Sequence, residues 1–538
     1  MPPRCCVGID LGTTFSSLAY VDDGNKVHPL RVEGDRYAIA SAVHFHGPEE
    51  LEAGNVAVGT EALNYSVIHP DRVARAFKRH MGDDAYRFEC HGREYRAEEL
   101  SAMVLQKLLS TAALVVGPVE EAVISVPAHF DEAKRRATVA AGKIAGLTRV
   151  DLINEPEAAA LAYGHTVMGG LFKDAEVEKL YGQNVTLLVY DLGGGTFDVT
   201  IARYDRDGKF EVLATDGEVR LGGEDWDAVL LEYVARRYYG QHGEPDPARS
   251  ARREFPFTED LRVRDPSALQ GMLLSCVEAK KTLSERPQAV VVFDRDGTEE
   301  KVKVTRDQFQ QMTAHLLNRT EAMTSGLLAR EGRTWSDIER ILLVGGSSRM
   351  PMIGVMMDRV TRRPLDRSLP PDTAIAEGAA LYAALRSGDR RMKIEEFQSV
   401  NAHPLGLRVR DAEREYRNDV LLPANRPTRT TVTKQYRVTP GKSWGRLVIL
   451  QGENPNPEAC VPLGQVVIHG LPADTAAGDM VDVTFSFQDN GLLHVAAVLR
   501  PKSGAAPTRV EHDLRVEGTL DDDQITDLKT GLPGIWMD

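Results

Sequence analysis

The fold of this chain is decided by the stretch Leu188-Val-Tyr-Asp-Leu-Gly-Gly-Gly-Thr-Phe-Asp-Val-Thr-Ile201. It begins as an apolar strand, turns at the glycines 193–195 and resumes as an alternating strand. Successive glycines leave backbone N–H groups open and let a bulky anion approach closely. The stretch therefore predicts a hairpin whose turn binds an anion such as a phosphate.

Two carboxylates, Asp191 and Asp198, flank this turn. They would repel a phosphate unless a metal ion lay between them, and hard divalent cations such as Mg²⁺ prefer oxygen ligands while keeping several waters. We therefore interpret the turn as a cradle for a magnesium–nucleotide complex. The alternative is a glycine-rich hairpin with acidic side chains at the surface.

A second copy of the pattern stands near the N-terminus as Val7-Gly-Ile-Asp-Leu-Gly-Thr-Thr-Phe-Ser-Ser-Leu18. Asp10 occupies the same position in this copy as Asp191 does in the later copy. Two such hairpins in one chain predict two related lobes that face each other across a nucleotide.

Composition limits the class of protein. The chain has 538 residues, of which 42% are hydrophobic and 27% charged, so it can form three or more domains with real cores. Its net charge of −14 argues against nucleic acid or a lipid surface as a general partner. We expect no membrane span, because no apolar run approaches membrane-spanning length, and we expect a cytoplasmic location. The five cysteines, which show no metal-ligand spacing, are Cys5, Cys6, Cys90, Cys276 and Cys460.

Strands that alternate with helices through residues 1–385 predict an α/β architecture. The spacing of Val73, Phe77 and Met81 predicts a helix near residues 70–80, in which Lys78 would ordinarily be a solvated side chain. Glu155 precedes a proline-initiated, alanine-rich helix. We also predict helices at 97–116, 131–145 and 272–286, a buried strand at 122–127, and glycine turns beside helices at 221–227 and 341–351.

The pattern changes after residue 385. Residues 386–401 are polar and charged, which indicates a linker. Residues 402–515 contain short strands with turns such as Asp489-Asn-Gly491, which predicts a separate antiparallel β domain. Residues 516–538 form a short tail, where an aspartate can cap a helix that Gly531 and Pro533 would end.

An ordered set of motifs across residues 5–385, with a fainter continuation to about residue 515, strongly resembles the seventy-kilodalton heat-shock chaperones of the DnaK type. The motifs are Ile9-Asp-Leu-Gly-Thr-Thr14, Lys78, Val126-Pro-Ala-His-Phe130, Ile153-Asn-Glu-Pro156, Asp191-Leu-Gly-Gly-Gly-Thr-Phe-Asp198, Leu221-Gly-Gly-Glu-Asp225 and Gly345-Gly-Ser-Ser-Arg349. The resemblance implies a two-lobed ATPase domain of the actin and sugar-kinase fold (duplicated, ribonuclease-H-like), followed by a β-sandwich. It also implies protein folding and a stress response as the biological setting.

The same resemblance implies a catalytic site between the lobes for ATP or ADP with Mg²⁺ and K⁺. Asp10 and Asp191 would hold Mg²⁺ through its waters, and Asp198 would complete the acidic set, with K⁺. Lys78 would stabilise charge on the γ-phosphate and position the attacking water, and Glu155 would orient that water or the metal shell.

The remaining assignments also follow from the resemblance. Residues implied to donate hydrogen bonds to the phosphates are Thr13, Thr14, Gly194, Gly195 and Thr196. Residues implied to enclose adenosine, with Arg349 and Lys281 on the two faces of adenine, are Lys280, Lys281, Ser284, Gly346, Ser347 and Arg349. Further residues implied in nucleotide binding are Gly12, Phe15, Gly193, Gly222, Gly223, Gly345 and Asp372. Pro127 and Arg135 match positions that relay the nucleotide state to the linker.

The chain also departs from the family pattern. Lys281 and Val277 stand where the family usually has arginine and glutamate, so we expect weaker nucleotide affinity. The linker Ile394-Glu-Glu-Phe-Gln-Ser-Val400 lacks the family's leucine run, whose burial contributes roughly 1.5–3 kcal/mol per side chain, so we expect weaker docking. The predicted groove segment, 407–416, is dense in charge, and no helical lid follows, so bound peptide should leave quickly.

Two hypotheses follow. The first is an ATP-hydrolysing chaperone for unfolded or extended polypeptides, with J-domain and nucleotide-exchange co-chaperones and with neither nucleic acid nor membrane as partner. The second is a nucleotide-dependent scaffold or regulator that binds no unfolded client. A small-molecule kinase of the same superfamily is disfavoured by the β domain and by the Leu221–Asp225 motif.

Overall fold

The computed structural model describes residues 6–24, 26–47, 56–166, 184–205, 209–242, 257–295, 297–387, 396–410, 415–437, 444–469, 479–487, 492–502, 508–513 and 519–533. The first lobe comprises β1 (Cys6–Asp10), β2 (Phe15–Val21), β3 (Val27–Pro29), β4 (Ala38–Ala40), β5 (Ala42–Phe45), β6 (Val56–Val58), α1 (Thr60–Tyr65), β7 (Val73–Arg75), β8 (Phe88–Cys90), β9 (Arg93–Tyr95), α2 (Ala97–Val116), β10 (Glu121–Val126), α3 (Glu132–Ile144), β11 (Arg149–Asn154) and α4 (Glu155–Thr166). Its main sheet has the order β11-β10-β1-β2-β3.

The second lobe follows with the same plan. It comprises β12 (Val185–Leu192), β13 (Phe197–Tyr204), β14 (Lys209–Glu218), α5 (Gly223–His242), α6 (Phe257–Arg264), α7 (Pro266–Glu285), β15 (Gln288–Arg295), β16 (Thr298–Thr305), α8 (Arg306–Met312), α9 (Ala314–Arg330), β17 (Arg340–Val344), α10 (Pro351–Thr361), β18 (Leu365–Asp366) and α11 (Ala374–Arg386). The order β18-β17-β12-β13-β14 repeats that of the first sheet.

The repeat extends to strand direction. In each lobe the central strand pairs in parallel with one neighbour and forms an antiparallel hairpin with the other. Asp10 lies opposite Ser17 in the first hairpin, and Asp191 lies opposite Asp198 in the second. The predicted duplication of the hairpin is therefore confirmed in the structure.

One predicted helix is wrong. Residues 70–80 form a 3₁₀ turn, then strand β7, then a second 3₁₀ turn, Phe77–His80. The segment is extended because β7 pairs with β5, with Val73 opposite His44. Ala76 then takes a left-handed conformation, with φ of 55°, that turns the chain into the 3₁₀ turn. Tertiary pairing thus overrides the helical spacing of the apolar residues.

Helix α2 departs from a second expectation. Its length and composition would allow it to span a membrane, although the sequence suggested no such run. In the fold, 56% of that apolar window is buried. Leu100, Met103 and Leu108 are fully enclosed in the core of the first lobe. Burial of this kind characterises the core helix of a globular lobe.

The β domain comprises β20 (Leu405–Arg410), β21 (Tyr416–Leu422), β22 (Val432–Arg437), β23 (Trp444–Gln451), β24 (Val461–His469), β25 (Met480–Phe487), β26 (Leu493–Arg500) and β27 (Thr508–Asp513). The antiparallel sheets β21-β20-β23-β24 and β22-β25-β26-β27 share one apolar core, which includes Ile449 and Phe485. The predicted hairpin tip, 489–491, lies outside the described residues, but β25 and β26 pair up to Phe487 and Leu493 on either side.

The linker is attached to the second lobe. Strand β19 (Glu396–Gln398) pairs in parallel with β14, with Phe397 opposite Phe210. The Phe397 ring lies 5.3 Å from that of Phe210 and 4.8 Å from that of Tyr382, between ring centroids. A single aromatic side chain therefore provides an apolar contact between the linker and the second lobe.

The tail returns to the first lobe. Helix α12 (Asp522–Gly531) is capped by Asp521, whose carboxylate accepts a hydrogen bond from the Gln524 N–H, as the sequence predicted. Ile525 packs with Ala102 of α2 and with Ala140 and Ile144 of α3. The β domain also contacts α3, because Leu493 N–H donates to Glu132 and Arg136 donates to Leu493 O.

Candidate functional site

Three carboxyl groups meet where the central strands of the two lobes end, and those of Asp191 and Asp198 are buried. Asp10 ends β1, Asp191 lies near the end of β12, and Asp198 lies at the start of β13. Ser125 Oγ donates to Asp10 Oδ1 at 2.8 Å, and His129 N–H donates to Asp198 Oδ1 at 3.2 Å. The structure thus brings together the acidic set that the sequence predicted.

These carboxyl groups are strongly perturbed. Burial, reinforced by the charge of Glu155, raises the pKa of Asp10 from 3.8 to about 6 and that of Asp198 to about 8. The same two causes, with Asp198 and Asp10 as further neighbours, raise the pKa of Asp191 well above 3.8. Several carboxylates held out of water in one place are typical of a site that receives a cation.

The residues present fit a hydrated magnesium ion. Asp191 Oδ2 is buried and has no hydrogen-bond partner among the described residues, so a ligating oxygen is available. Over the same part of the chain, no group of three or more His, Cys, Asp or Glu side chains is arranged to ligate a metal directly. Mg²⁺ commonly keeps several waters and shares phosphate oxygens, so a sparse protein ligand set suits it.

Lys78 and Glu155 form an ion pair beside the acidic set. The Lys78 Nζ to Glu155 Oε1 distance is 2.6 Å, and the two residues are only 3% and 6% exposed. Lys78 lies in the 3₁₀ turn Phe77–His80, while Glu155 is the first residue of α4. The interpretation of Lys78 as a solvated lysine is therefore wrong, because the irregular turn directs its side chain inward.

The two hairpin turns face each other at contact distance. A Cβ atom on Gly194 would lie 2.0 Å from Thr14 Oγ1, and one on Gly195 would lie 2.5 Å from Thr13 Oγ1. Only glycine fits at either place. Thr14 Oγ1 is buried and lacks a hydrogen-bond partner within the described residues, which leaves a donor for an anion.

Backbone hydrogen bonds fix the glycine turn against α5. Gly193 N–H donates to Thr196 O, so it is used within the turn itself. Gly223 N–H donates to Gly193 O, and Glu224 N–H donates to Gly194 O. A Cβ on Gly222 would lie 2.6 Å from Gly194 O. The Leu221–Asp225 motif therefore supports the turn from behind.

Arg79 was missed by the sequence reasoning. Its Nη2 donates to Gly195 O at 3.1 Å and to Asp225 Oδ2 at 2.7 Å, while its Nε lies 3.1 Å from Glu224 Oε2. It thus ties the first lobe to the glycine turn and helix α5 of the second. The sequence signal for Arg79 was its position directly after Lys78. That position alone does not reveal that its partner Asp225 lies 146 residues later.

The predicted adenosine residues are only partly assembled. Lys280 Nζ is engaged with Gly223 O at 2.9 Å and with Asp227 at 2.7 Å. Lys281 is paired with Glu278, and its side chain is 54% exposed. Ser284 Oγ donates to Lys280 O.

The opposite wall of this subsite comes from the turn after β17. Gly345 needs its positive φ of 77°, and a Cβ on Gly346 would meet open space. Arg349 is 57% exposed and lies 3.9 Å from Asp372, while Ser347 is buried and faces Gly223. An open space with a guanidinium at its rim suits a planar base.

Of the two predicted coupling residues, Arg135 lies beside the linker. Pro127 follows β10, and Arg135 of α3 donates to Phe130 O and to the Asn154 side chain. Arg135 lines a cavity of about 190 Å³ between the first lobe, the linker and the β domain. Ser399 Oγ donates to Glu157, two residues after Glu155. This hydrogen bond joins the linker to helix α4, which begins at Glu155.

Two facing turns, an acidic set and a buried Lys–Glu pair thus meet where the two lobes join. The family model described as Hsp70 protein matches residues 83–530 of the 538. The chain therefore belongs to the Hsp70 family, whose members bind ATP and ADP with Mg²⁺, hydrolyse ATP and act as chaperones. Asp10 and Lys78 precede the matched span, so their placement depends on the geometry described above.

Proposed function

We propose that this chain is a magnesium-dependent ATPase that works as a DnaK-type chaperone, binding extended polypeptide segments under nucleotide control. The two lobes would be of the actin and sugar-kinase fold, and the β domain would be the substrate-binding sandwich. The observation that carries the proposal is the set of Asp10, Asp191 and Asp198 beside the buried Lys78–Glu155 pair.

The chain's own groups suit phosphoryl transfer to water. Asp10, Asp191 and Asp198 would hold Mg²⁺, which when bound supplies positive charge to the phosphate oxygens. Lys78 would present its ammonium group to the γ-phosphate, where negative charge develops in the transition state. Glu155, already paired with Lys78, would accept a hydrogen bond from the attacking water and so orient it.

The facing turns would exclude bulk water and donate hydrogen bonds. Thr13, Thr14 and the glycines 194–195 lie where the lobes meet, and Arg79 holds that contact closed. Closed, dry sites strengthen electrostatic interactions with the reacting phosphate. The open rim near Gly346 and Arg349 would receive the adenine ring.

Single-turnover ATP hydrolysis tests the catalytic assignment. Lys78→Ala should lower the rate roughly 100-fold or more, by analogy with the loss of one preorganised electrostatic group. Lys301→Ala is the matched control, because Lys301 on β16 is 62% exposed and pairs with Glu299 away from the site. Equal rates for wild type and Lys78→Ala would remove Lys78 from the mechanism.

A nucleotide-dependent scaffold is the second candidate, favoured by one observation. Arg408 and Arg410 of β20 lie 4.3 and 4.7 Å from the centre of the exposed Tyr416 ring, so this edge of the β domain is cationic and polar. Binding of fluorescent unfolded peptide, with and without ATP, separates the two functions. If no peptide binds in either state, the scaffold is favoured. The proposal of extended polypeptide clients would then fail, together with the proposals of J-domain and nucleotide-exchange partners.

A further inference from the structure

An open groove of about 530 Å³ lies between the C-terminal half of α2 and the end of α12. Its apolar lining includes Leu109, Ala113, Val119, Leu532 and Pro533. Leu114, one helical turn beyond Ser110 at the groove, is 85% exposed, the largest value among the exposed large hydrophobic side chains described. The first lobe therefore leaves an apolar strip uncovered beside the tail helix.

Helix α12 is held at both ends, which fixes the point where the chain leaves it. Lys143 Nζ lies 3.0 Å from Asp522 Oδ1 at the first turn. Arg93 Nη1 donates to Gly531 O at 2.6 Å at the last turn. With Ile525 buried between these contacts, Leu532 and Pro533 are brought into the groove itself.

The next five residues of the sequence are Gly-Ile-Trp-Met-Asp, 534–538, with three large apolar side chains in succession. Five extended residues reach about 17 Å. The α2 side of the groove, from Gln106 to Leu114, spans about 12 Å. The segment is thus long enough to cover the strip, and it starts inside the groove.

We propose that residues 534–538 dock in this groove, with Ile535 and Trp536 covering the exposed Ala113 and Leu114. The occupant is the same chain, because a segment tethered at Pro533 has a far higher effective concentration there than any free partner. The docked segment would extend the attachment of α12 to the first lobe. Because α12 follows the last strand of the β domain, this attachment limits how far that domain can move from the ATPase lobes.

The test uses acrylamide quenching of Trp536 in the full chain. The chain has four tryptophans, so the difference between wild type and Trp536→Phe isolates the signal of Trp536. We expect this signal to be protected from acrylamide in wild type. Leu114→Glu, a change at an exposed position, should raise its quenching constant at least threefold. Val355→Glu is the matched control, since Val355 is 67% exposed on α10 of the second lobe, and it should change nothing.

A second measurement, hydrogen exchange, tests the docking without using the fluorescence of Trp536. Hydrogen exchange of 106–117 and of α12 should speed up severalfold in a chain that ends at Pro533, while that of the β15–β16 hairpin stays unchanged. Equal quenching of Trp536 in wild type and Leu114→Glu would overturn the proposal. Trp536 could instead be protected from acrylamide only at high protein concentration, with a dimer detected by sedimentation velocity. That result would overturn the proposal, because a second copy of the chain would then be the occupant of the groove.

Discussion

Arg79 Nη2 lies 2.7 Å from Asp225 Oδ2, and this contact joins the two lobes directly beside the glycine turn. Its Nε also lies 3.1 Å from Glu224. Burial raises the pKa of Glu224 from 4.5 to about 7, although Arg79 and Arg75 oppose the shift. The closed arrangement of the lobes therefore depends on cations of the first lobe that face acids of the second.

Replacing Arg79 with alanine should weaken nucleotide binding. A charge-assisted hydrogen bond contributes about 1.5–3 kcal/mol, which corresponds to roughly a tenfold to hundredfold rise in the Kd for ATP. Isothermal titration checks this. The control is Arg87→Ala, which removes a 3.8 Å ion pair with Glu94 inside the first lobe. An unchanged Kd for Arg79→Ala would show that the contact does not support the bound state.

Replacing Lys78 with methionine should destabilise the folded chain itself. The change leaves the Glu155 carboxylate buried and unpaired, and loss of one partner of a buried pair typically costs about 3–5 kcal/mol. Urea unfolding without nucleotide measures it. The double variant Lys78→Met/Glu155→Gln should recover much of the loss, whereas equal instability of the single and double variants would contradict the pairing.

Replacing Phe397 with alanine should release the linker. The side chain packs against Phe210 and Tyr382, and its loss removes about 1.5–3 kcal/mol of apolar burial. Tryptic cleavage after Arg390, Arg391 or Lys393 should then be faster than in wild type. Phe15→Ala, at an exposed position on β2, is the control. Equal cleavage rates would mean that Phe397 does not hold β19 on the second lobe.

Acidification should weaken the contact between the β domain and the first lobe. His403 Nε2 lies 2.9 Å from His129 O, and the rings are 4.6 Å apart. Burial lowers the pKa of His129 from 6.5 to about 3 and also lowers that of His403. Because the unfolded chain takes up these protons first, the contribution of the two imidazoles to the free energy of unfolding is full above pH 6.5 and falls as the pH drops from 6.5 towards 3.

Melting temperatures at pH 7.5 and 5.5 check this dependence. The difference should be smaller in His403→Gln than in wild type, because one of the two buried imidazoles is gone. His315→Gln, an exposed position on α9, should keep the wild-type difference. An identical difference in all three proteins would exclude the His129–His403 pair as its source.

The sequence predicted the repeated hairpins, the acidic set and most helices of the two lobes. Those features depend on local signals: glycine turns between apolar strands, capping residues such as Asp131, and apolar periodicity. It also predicted short antiparallel strands in the β domain, but it described residues 407–416, which include most of β20, only as a charge-dense groove segment. Charged residues such as Arg408 and Arg410 interrupt the alternation there, although Leu405 and Leu407 still face the core.

The structural features that could not be predicted from the sequence depend on contacts between distant segments. The 70–80 region is extended because β5 lies beside it, and Lys78 is buried because of the resulting turn. The partners of Arg79 follow 145 and 146 residues later. The docking of α12 requires an apolar patch assembled from Ala102, Ala140 and Ile144 on two helices.

The pairing of β19 with β14 has one more consequence. Strand β14 is at the edge of the second sheet whenever β19 is absent, and an edge strand presents unpaired N–H and C=O groups that can pair with another chain. Phe210, fully enclosed when Phe397 is in place, would then lie near an open strand edge. The linker thus also shields the chain against strand-to-strand aggregation, and each release of the linker exposes the molecule to self-association.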